Sequence, residues 1–204
     1  MSEYVADRLF SRLIQPWTLP KSDWRLCIED WARVTAIIAL PWSGRILDVG
    51  SGDGTLAATL LSVNPNVRFI EGVEQDPLQV ERAFTLWVDF VDPWPVTFDT
   101  EWPEAGERFD GVLLCEVLEH MNPHDGAGLM VRALTCCTPG ALVCVTVPSA
   151  GGSRAEYPGH VRKFTADSLR VDMINAGTTE PRLSFIQPDP DEHAIWIMGV
   201  AHAK

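Results

Sequence analysis

From position 44 onward the apolar positions change period repeatedly, and each change marks an element. "RILDV" is a short apolar run bounded by Gly44 and by the glycine-rich "GSGDG", the pattern of a buried strand. "TLAATLLSV" has helical spacing and is ended by "NPN". "VRFIEGVE" predicts a second strand, and "PLQVERAFTLWVDFV" predicts a helix with Pro77 in its first turn. "VTF" and "FDGVLLC" predict the third and fourth strands, residues 125–137 a helix, and "ALVCVTV" a buried fifth strand. Residues 165–176 predict a helix closed by Gly177. The last two runs, "RLSFI" and "AIWIMGVA", are joined by the polar "QPDPDEH" with no helix between them, which predicts an antiparallel hairpin. Strands alternating with helices imply right-handed crossovers and an α/β, doubly wound, mostly parallel sheet of about seven strands.

Residues 1–43 read differently and form an N-terminal helical extension ahead of a domain at 44–204. From Ser22, the positions Trp24, Cys27, Ile28, Trp31, Val34, Ile37 and Ile38 follow amphipathic helical spacing, with Ser22 or Asp23 as the cap. Trp17, Trp24 and Trp31 recur every seven residues, but Pro20 separates the first from the others. The helix packs on the core, or forms a lid over a substrate pocket; the two readings are compatible.

Composition narrows the partners. With 204 residues and 46% hydrophobic content, one well-buried domain is expected. A net charge of −12 argues against broad nucleic-acid binding, which needs clustered Lys and Arg. "MSEYVADRLF" lacks an apolar signal core, and "VTAIIAL" and "ALVCVTV" are too short to span a bilayer, so no membrane association is expected. The five cysteines show no CxxC spacing and read as thiols of a reducing, cytoplasmic compartment.

In an open sheet of this kind, ligands bind beyond the carboxyl ends of the strands. The first such end is "ILDVGSGDGTLA", where Asp48 precedes Gly50, Gly52 and Gly54. A dinucleotide turn, GxGxxG, would need glycine at Thr55, which disfavours a nicotinamide oxidoreductase. Glu74 ends the next strand in "GVEQD", about 20 residues on, where a carboxylate can accept from two ribose hydroxyls. This DxGxGxG turn followed by a strand-end acid resembles the class I S-adenosylmethionine-dependent methyltransferases, over roughly residues 44–200, including the terminal hairpin of that Rossmann-like fold. The resemblance implies that Asp48 and the glycines line the methionine end of S-adenosylmethionine, that Glu74 binds the ribose and that Gln75 flanks the adenine. For the acid that the family often places after its third strand, "FDTEWPE" offers Asp99 and Glu101, without the usual Gly-Asp.

The fourth strand ends at the same crevice, so Cys115 and the residues after it are expected near the cofactor's sulfonium. There, "CEVLEH" puts Glu116, Glu119 and His120 at spacings of three and four. Further on, "EYPGHVRKFTADSL" carries His160 four residues before an aromatic and five before a threonine. "EVLEHMNP" after a hydrophobic strand is similar to a motif of many small-molecule O-methyltransferases, including those that methylate catechols, and of the small-RNA terminal 2′-O-methyltransferases. In the RNA family ExxEH and a downstream His ligate a divalent metal, which implies Glu116, Glu119, His120 and His160 as ligands here. "GHVRxFT" wording also occurs in methyltransferases without a metal. Methyl transfer needs an electron-rich nucleophile held in line with the sulfonium. A bound Mg²⁺ or Mn²⁺ lowers a hydroxyl's pKa and suits carboxylate and imidazole ligands. Without a metal, His120 or His160 serves as general base, with Glu116 in the pocket wall. The bland readings are a solvated Glu119, a structural His120 and an exposed His124. Arg154, Arg162 and Lys163 form a modest basic cluster, either greeting an anionic substrate or solvated.

The expected function is S-adenosylmethionine-dependent O-methylation of a small molecule. The alternatives are small-RNA 2′-O-methylation, and a catalytically silent cofactor-binding module that works through partners. Oligomeric state has no signature in the sequence.

Overall fold

The computed structural model describes residues 21–87, 95–187 and 193–204, the side chains of 21–29 and 86–87 excepted. Trp17, and the side chains of Trp24 and Cys27, lie outside the described residues. The elements are α1 (Lys21–Ile38), β1 (Gly44–Val49), α2 (Thr55–Val63), β2 (Val67–Val73), α3 (Pro77–Trp87), β3 (Val96–Asp99), β4 (Phe109–Cys115), α4 (Pro123–Thr135), β5 (Cys137–Pro148), α5 (Ala166–Ala176), β6 (Arg182–Ile186) and β7 (Trp196–His202). They build one seven-stranded sheet in the order β3-β2-β1-β4-β5-β7-β6. β1 to β5 pair in parallel, while β7 runs antiparallel to both β5 and β6.

Burial on both faces explains the apolar runs. Along β1, Ile46 joins the cluster with Ile37, Trp42, Leu60 and Ala83, whereas Leu47 joins the one with Met130, Ala133, Leu169 and Met173. Thus α1, α2 and α3 cover one face, and α4 and α5 the other. Each strand residue is buried whichever way its side chain points, so the pattern is continuous rather than alternating. The chain leaves β1 toward β2 and returns to β4 on the opposite side, and this reversal opens a crevice at the carboxyl ends of β1 and β4.

Two boundaries differ from expectation. α4 starts at Pro123, because the Asn122 side chain accepts from the backbone N–H of His124 and Asp125 at 3.0 Å each, so Asn122 is the cap. Cys137 therefore opens β5 rather than closing the helix. Ser22 and Asp23 fall inside α1 rather than ahead of it. Among the described residues, no helix is long and apolar enough to cross a membrane.

Candidate active site

The turn after β1 reaches into the crevice by using backbone angles that favour glycine. Gly50, Gly52 and Gly54 have φ of 74°, 55° and 75°. A Cβ on Gly50 would stand 2.3 Å from the Val117 side chain, whereas one on Gly52 would meet nothing within 4 Å. Gly50 is thus held against the segment after β4, and Gly52 faces open space. The Gly52 N–H donates to one oxygen of Glu74 and the Asp76 N–H to the other, both at 3.0 Å. Glu74 is thereby fixed beside the turn, and each oxygen keeps a lone pair for a ligand.

Two cavities meet at this turn. One, of about 340 Å³, is lined by Asp48, Gly50, Gly52 and Cys115 together with Asp30 and Arg33 of α1. The other, of about 560 Å³, is lined by Gly50, Glu74, Gln75, Cys115, Glu116 and His120. Asp48 is 1% exposed and its Oδ2 has no hydrogen-bond partner. Burial, reinforced by Glu74 and opposed by Arg33, raises its pKa to about 7. Asp99 is exposed and turns its carboxylate onto the Glu101 N–H at 3.0 Å. At that end of the larger cavity the wall is Thr100 and Trp102.

After β4 the chain does not simply coil into a helix. Glu116 has φ of 59°, a left-handed conformation that no other described non-glycine residue adopts. Only Leu118–His120 form a 3₁₀ turn. The Glu116 carboxylate therefore swings inward, accepting from Trp196 Nε1 at 2.8 Å and from Thr146 Oγ1 at 3.1 Å. Its pKa is raised by burial, against the pull of Arg33 and these two hydrogen bonds. Glu119 is 1% exposed, and neither of its oxygens has a hydrogen-bond partner. Burial and the neighbouring Glu116 raise its pKa to about 8. A solvated Glu119 is thereby ruled out.

The loop after β5 completes the cluster. The backbone N–H groups of Val161 and Arg162 donate to the Glu119 carbonyl at 2.8 and 3.1 Å, tying the loop to the turn. His160 Nε2 comes within 4.0 Å of Glu119 Oε1. The His120 and His160 rings sit edge to face, their centroids 4.9 Å apart. One atom each from Glu119, His120 and His160 lie within 4.8 Å of one another. Of the four expected ligands, Glu116 stands outside this group, because its carboxylate is taken by Trp196 and Thr146. His120 Nδ1 lies 3.1 Å from the Gly159 carbonyl; a proton there leaves Nε2 as the acceptor. Burial, and then His120, push the His160 pKa below its usual value. The basic residues of this loop face acids: Arg154 meets Asp30 at 3.3 Å, Arg162 meets Asp172 at 2.6 Å, and Lys163 meets Glu156. They form no common anion-greeting patch. His124 is exposed.

Residues 24–179, more than half of the chain, match the family described as methyltransferase domain. The chain belongs to the methyltransferase-domain family. The methyltransferase is an S-adenosylmethionine-dependent enzyme, and solved structures of similar fold include ones with that cofactor or its product bound. Magnesium protoporphyrin IX methyltransferase from Synechocystis PCC 6803 with bound SAH matches with a TM-score of 0.74 at 14% identity, covering 98% of this chain and 94% of that one. The methyltransferase domain of bacterial CtHen1-CN matches at 0.69 and 18%, covering 85% and 99%. The N-methyltransferase NodS from Bradyrhizobium japonicum WM9 matches at 0.67 and 14%, covering 86% and 96%. At such identities the likeness concerns the fold. No curated protein matches the methyltransferase by sequence.

Sequence reasoning missed the roles of Arg33, Thr146 and Trp196. Trp196 reads as a core residue and is one, 0% exposed, but its indole N–H also fixes Glu116 from 80 residues away. No local spacing signals such a contact.

Proposed function

We propose that the methyltransferase acts on an oxygen of a small-molecule acceptor, with a divalent cation held by Glu119, His120 and His160. Glu119 carries this reading. A carboxylate that is 1% exposed and accepts no hydrogen bond is costly to keep, by several kcal/mol when ionised. A cation between it and two imidazoles offsets that cost, so the donor set fits a metal. One carboxylate with two histidines favours Mn²⁺ or Fe²⁺ over Mg²⁺ and differs from the Cys-rich shells of structural zinc. Such an ion would supply Lewis acidity, lowering the pKa of an acceptor hydroxyl and clamping a vicinal oxygen.

The protein's own groups do the rest. S-adenosylmethionine provides a methyl group on a sulfonium, already activated for in-line displacement. Glu74, fixed by two backbone N–H groups, is placed to receive the ribose hydroxyls. Gln75 flanks the base in the same cavity, and Cys115 lines the crevice between the cofactor turn and the 3₁₀ turn. His120 shares the cavity with Glu74, so the acceptor would be held against the donor at near-attack distance. The depressed pKa of His160 keeps its imidazole neutral, with a lone pair for the cation.

The test is a panel of catechols and vicinal diols incubated with chelated and metal-restored protein. Turnover is expected to vanish with chelator and return with Mn²⁺ or Mg²⁺. Full turnover by metal-free protein would remove the cation from the reading. Small-RNA 2′-O-methylation is the second reading, favoured by the convergence of Glu119, His120 and His160 and opposed by the net charge of −12. Salt-sensitive RNA binding would select it.

A further inference from the structure

The His160 imidazole stands beside Glu119 without being bonded to it. Its Nε2 lies 4.0 Å from Glu119 Oε1, beyond hydrogen-bond reach, so the loop backbone decides where the ring stands. Beyond His160 the loop is held by the Glu119 carbonyl and by Arg162 on Asp172 of α5. Before it, successive turns carry the chain. The Tyr157 N–H donates to the Arg154 carbonyl and the His160 N–H to the Tyr157 carbonyl, both at 3.1 Å. Ala155 is buried but small, and Tyr157 is 55% exposed, so apolar packing anchors this run only weakly.

Arg154 ties the run to the rest of the fold. Its guanidinium meets Asp30 of α1 at 3.3 Å and lies 5.3 Å from the centroid of the Trp196 ring. The arginine is mostly buried and Asp30 is half exposed, so water screens the pair only in part. Trp196 is fully buried and donates its indole N–H to Glu116, which makes its ring a fixed platform for the cation above it. We propose that Arg154 is a positioning residue for the cation site: held by Asp30 and by Trp196, it sets the run that presents His160 to Glu119 and His120. This rests on the cation reading above. Arg154 acts through His160 rather than on the acceptor, as residues that hold a metal ligand from behind do.

Two measurements on the full chain test the assignment. In calorimetry with Mn²⁺ alone, Arg154→Gln should bind about 10-fold more weakly than the wild type. Arg154→Lys, which keeps a charge facing Asp30, should recover part of that loss. A role in fold stability alone would leave the Mn²⁺ affinity of the folded variant unchanged. The second measurement is hydrogen exchange in chelator at the Val161 and Arg162 amides, which bond to the Glu119 carbonyl. Exchange there should be about 5- to 30-fold faster in Arg154→Gln, the factor for losing an ion pair and a cation over a ring together. A folded Arg154→Gln that binds Mn²⁺ as the wild type does would overturn the assignment, and so would unchanged exchange at these two amides. A wild type that binds no Mn²⁺ would count against the cation reading itself, and the exchange rates would then decide whether Arg154 sets the loop.

Discussion

The donor side and the acceptor side of the crevice are built on opposite plans. On the donor side, the turn from Asp48 to Gly54 and the acid Glu74 are close in sequence and tied together by backbone hydrogen bonds. On the acceptor side, Glu119 and His160 come from segments 41 residues apart, and the Glu119 carboxylate has no hydrogen-bond partner, although its backbone carbonyl holds the loop. Both sides keep buried polar atoms unsatisfied: Arg33, Asp48 and Ser51 on one, Glu119 and His160 on the other. Arg45 also carries such an atom, but these two groups each gather more than one residue at one place, which suits ligands there. On the proposed reading, the donor side takes the cofactor and the acceptor side a cation.

The sharpest break on the donor side is Gly52→Val. The added side chain meets no protein atom, so it intrudes into the space facing the turn. Affinity for S-adenosylhomocysteine should fall by more than about 100-fold, or ~2.7 kcal/mol, by calorimetry. The φ of 55° adds about 1–2 kcal/mol of strain, read separately as a lowered Tm. Unchanged affinity would mean that the cofactor does not lie against this glycine.

Next in size is Glu119→Gln on the acceptor side. Mn²⁺ affinity should drop by about 10- to 100-fold or more, while cofactor affinity stays within a factor of about three. The folded-state pKa of Glu119 is raised to about 8, so the apo wild type binds an extra proton below that value. Its stability relative to the Gln variant is therefore retained at low pH and lost as the pH rises through 8. Melting curves in chelator at pH 6 and pH 9 check this; a gap that does not widen with pH contradicts the buried carboxylate.

Asp48→Asn applies the same logic to the donor side, in a lower pH window. With the folded-state pKa raised to about 7, wild-type stability relative to Asn should fall as the pH rises from 4 to 7. The variant should be the more stable apo protein at pH 8, by at most about 4 kcal/mol, and bind the cofactor more weakly. The smallest effect expected is that of Glu116→Gln, which leaves Mn²⁺ affinity within about threefold and costs about 1–2 kcal/mol through the Trp196 and Thr146 contacts. Loss of metal binding there would return Glu116 to the ligand set.

The same contrast explains what could be read from the chain. The β1 strand, its glycine turn and the helix Thr55–Val63 were legible because period, punctuation and spacing are local properties. The acid at Glu74 was legible because one helix and one strand fix its distance from the turn. The cluster after β4 was legible only in part. Spacings of three and four imply a shared face if the segment is helical, but the left-handed Glu116 precedes a helical turn that begins at Leu118. That one backbone angle moves Glu116 away from Glu119 and His120 and onto Trp196. Arg33 was not legible as a site residue, since nothing within its own helix distinguishes it from a solvated arginine.

Crystals of the protein grown with S-adenosylhomocysteine and Mn²⁺, measured at the manganese edge, test most directly whether the two sides form one active site. The expected result is a single anomalous peak bounded by Glu119, His120 and His160, in the crevice that holds the cofactor product, with Glu116 still on Trp196. A cluster with no peak in fully loaded crystals, or a peak bound through Glu116, would contradict it.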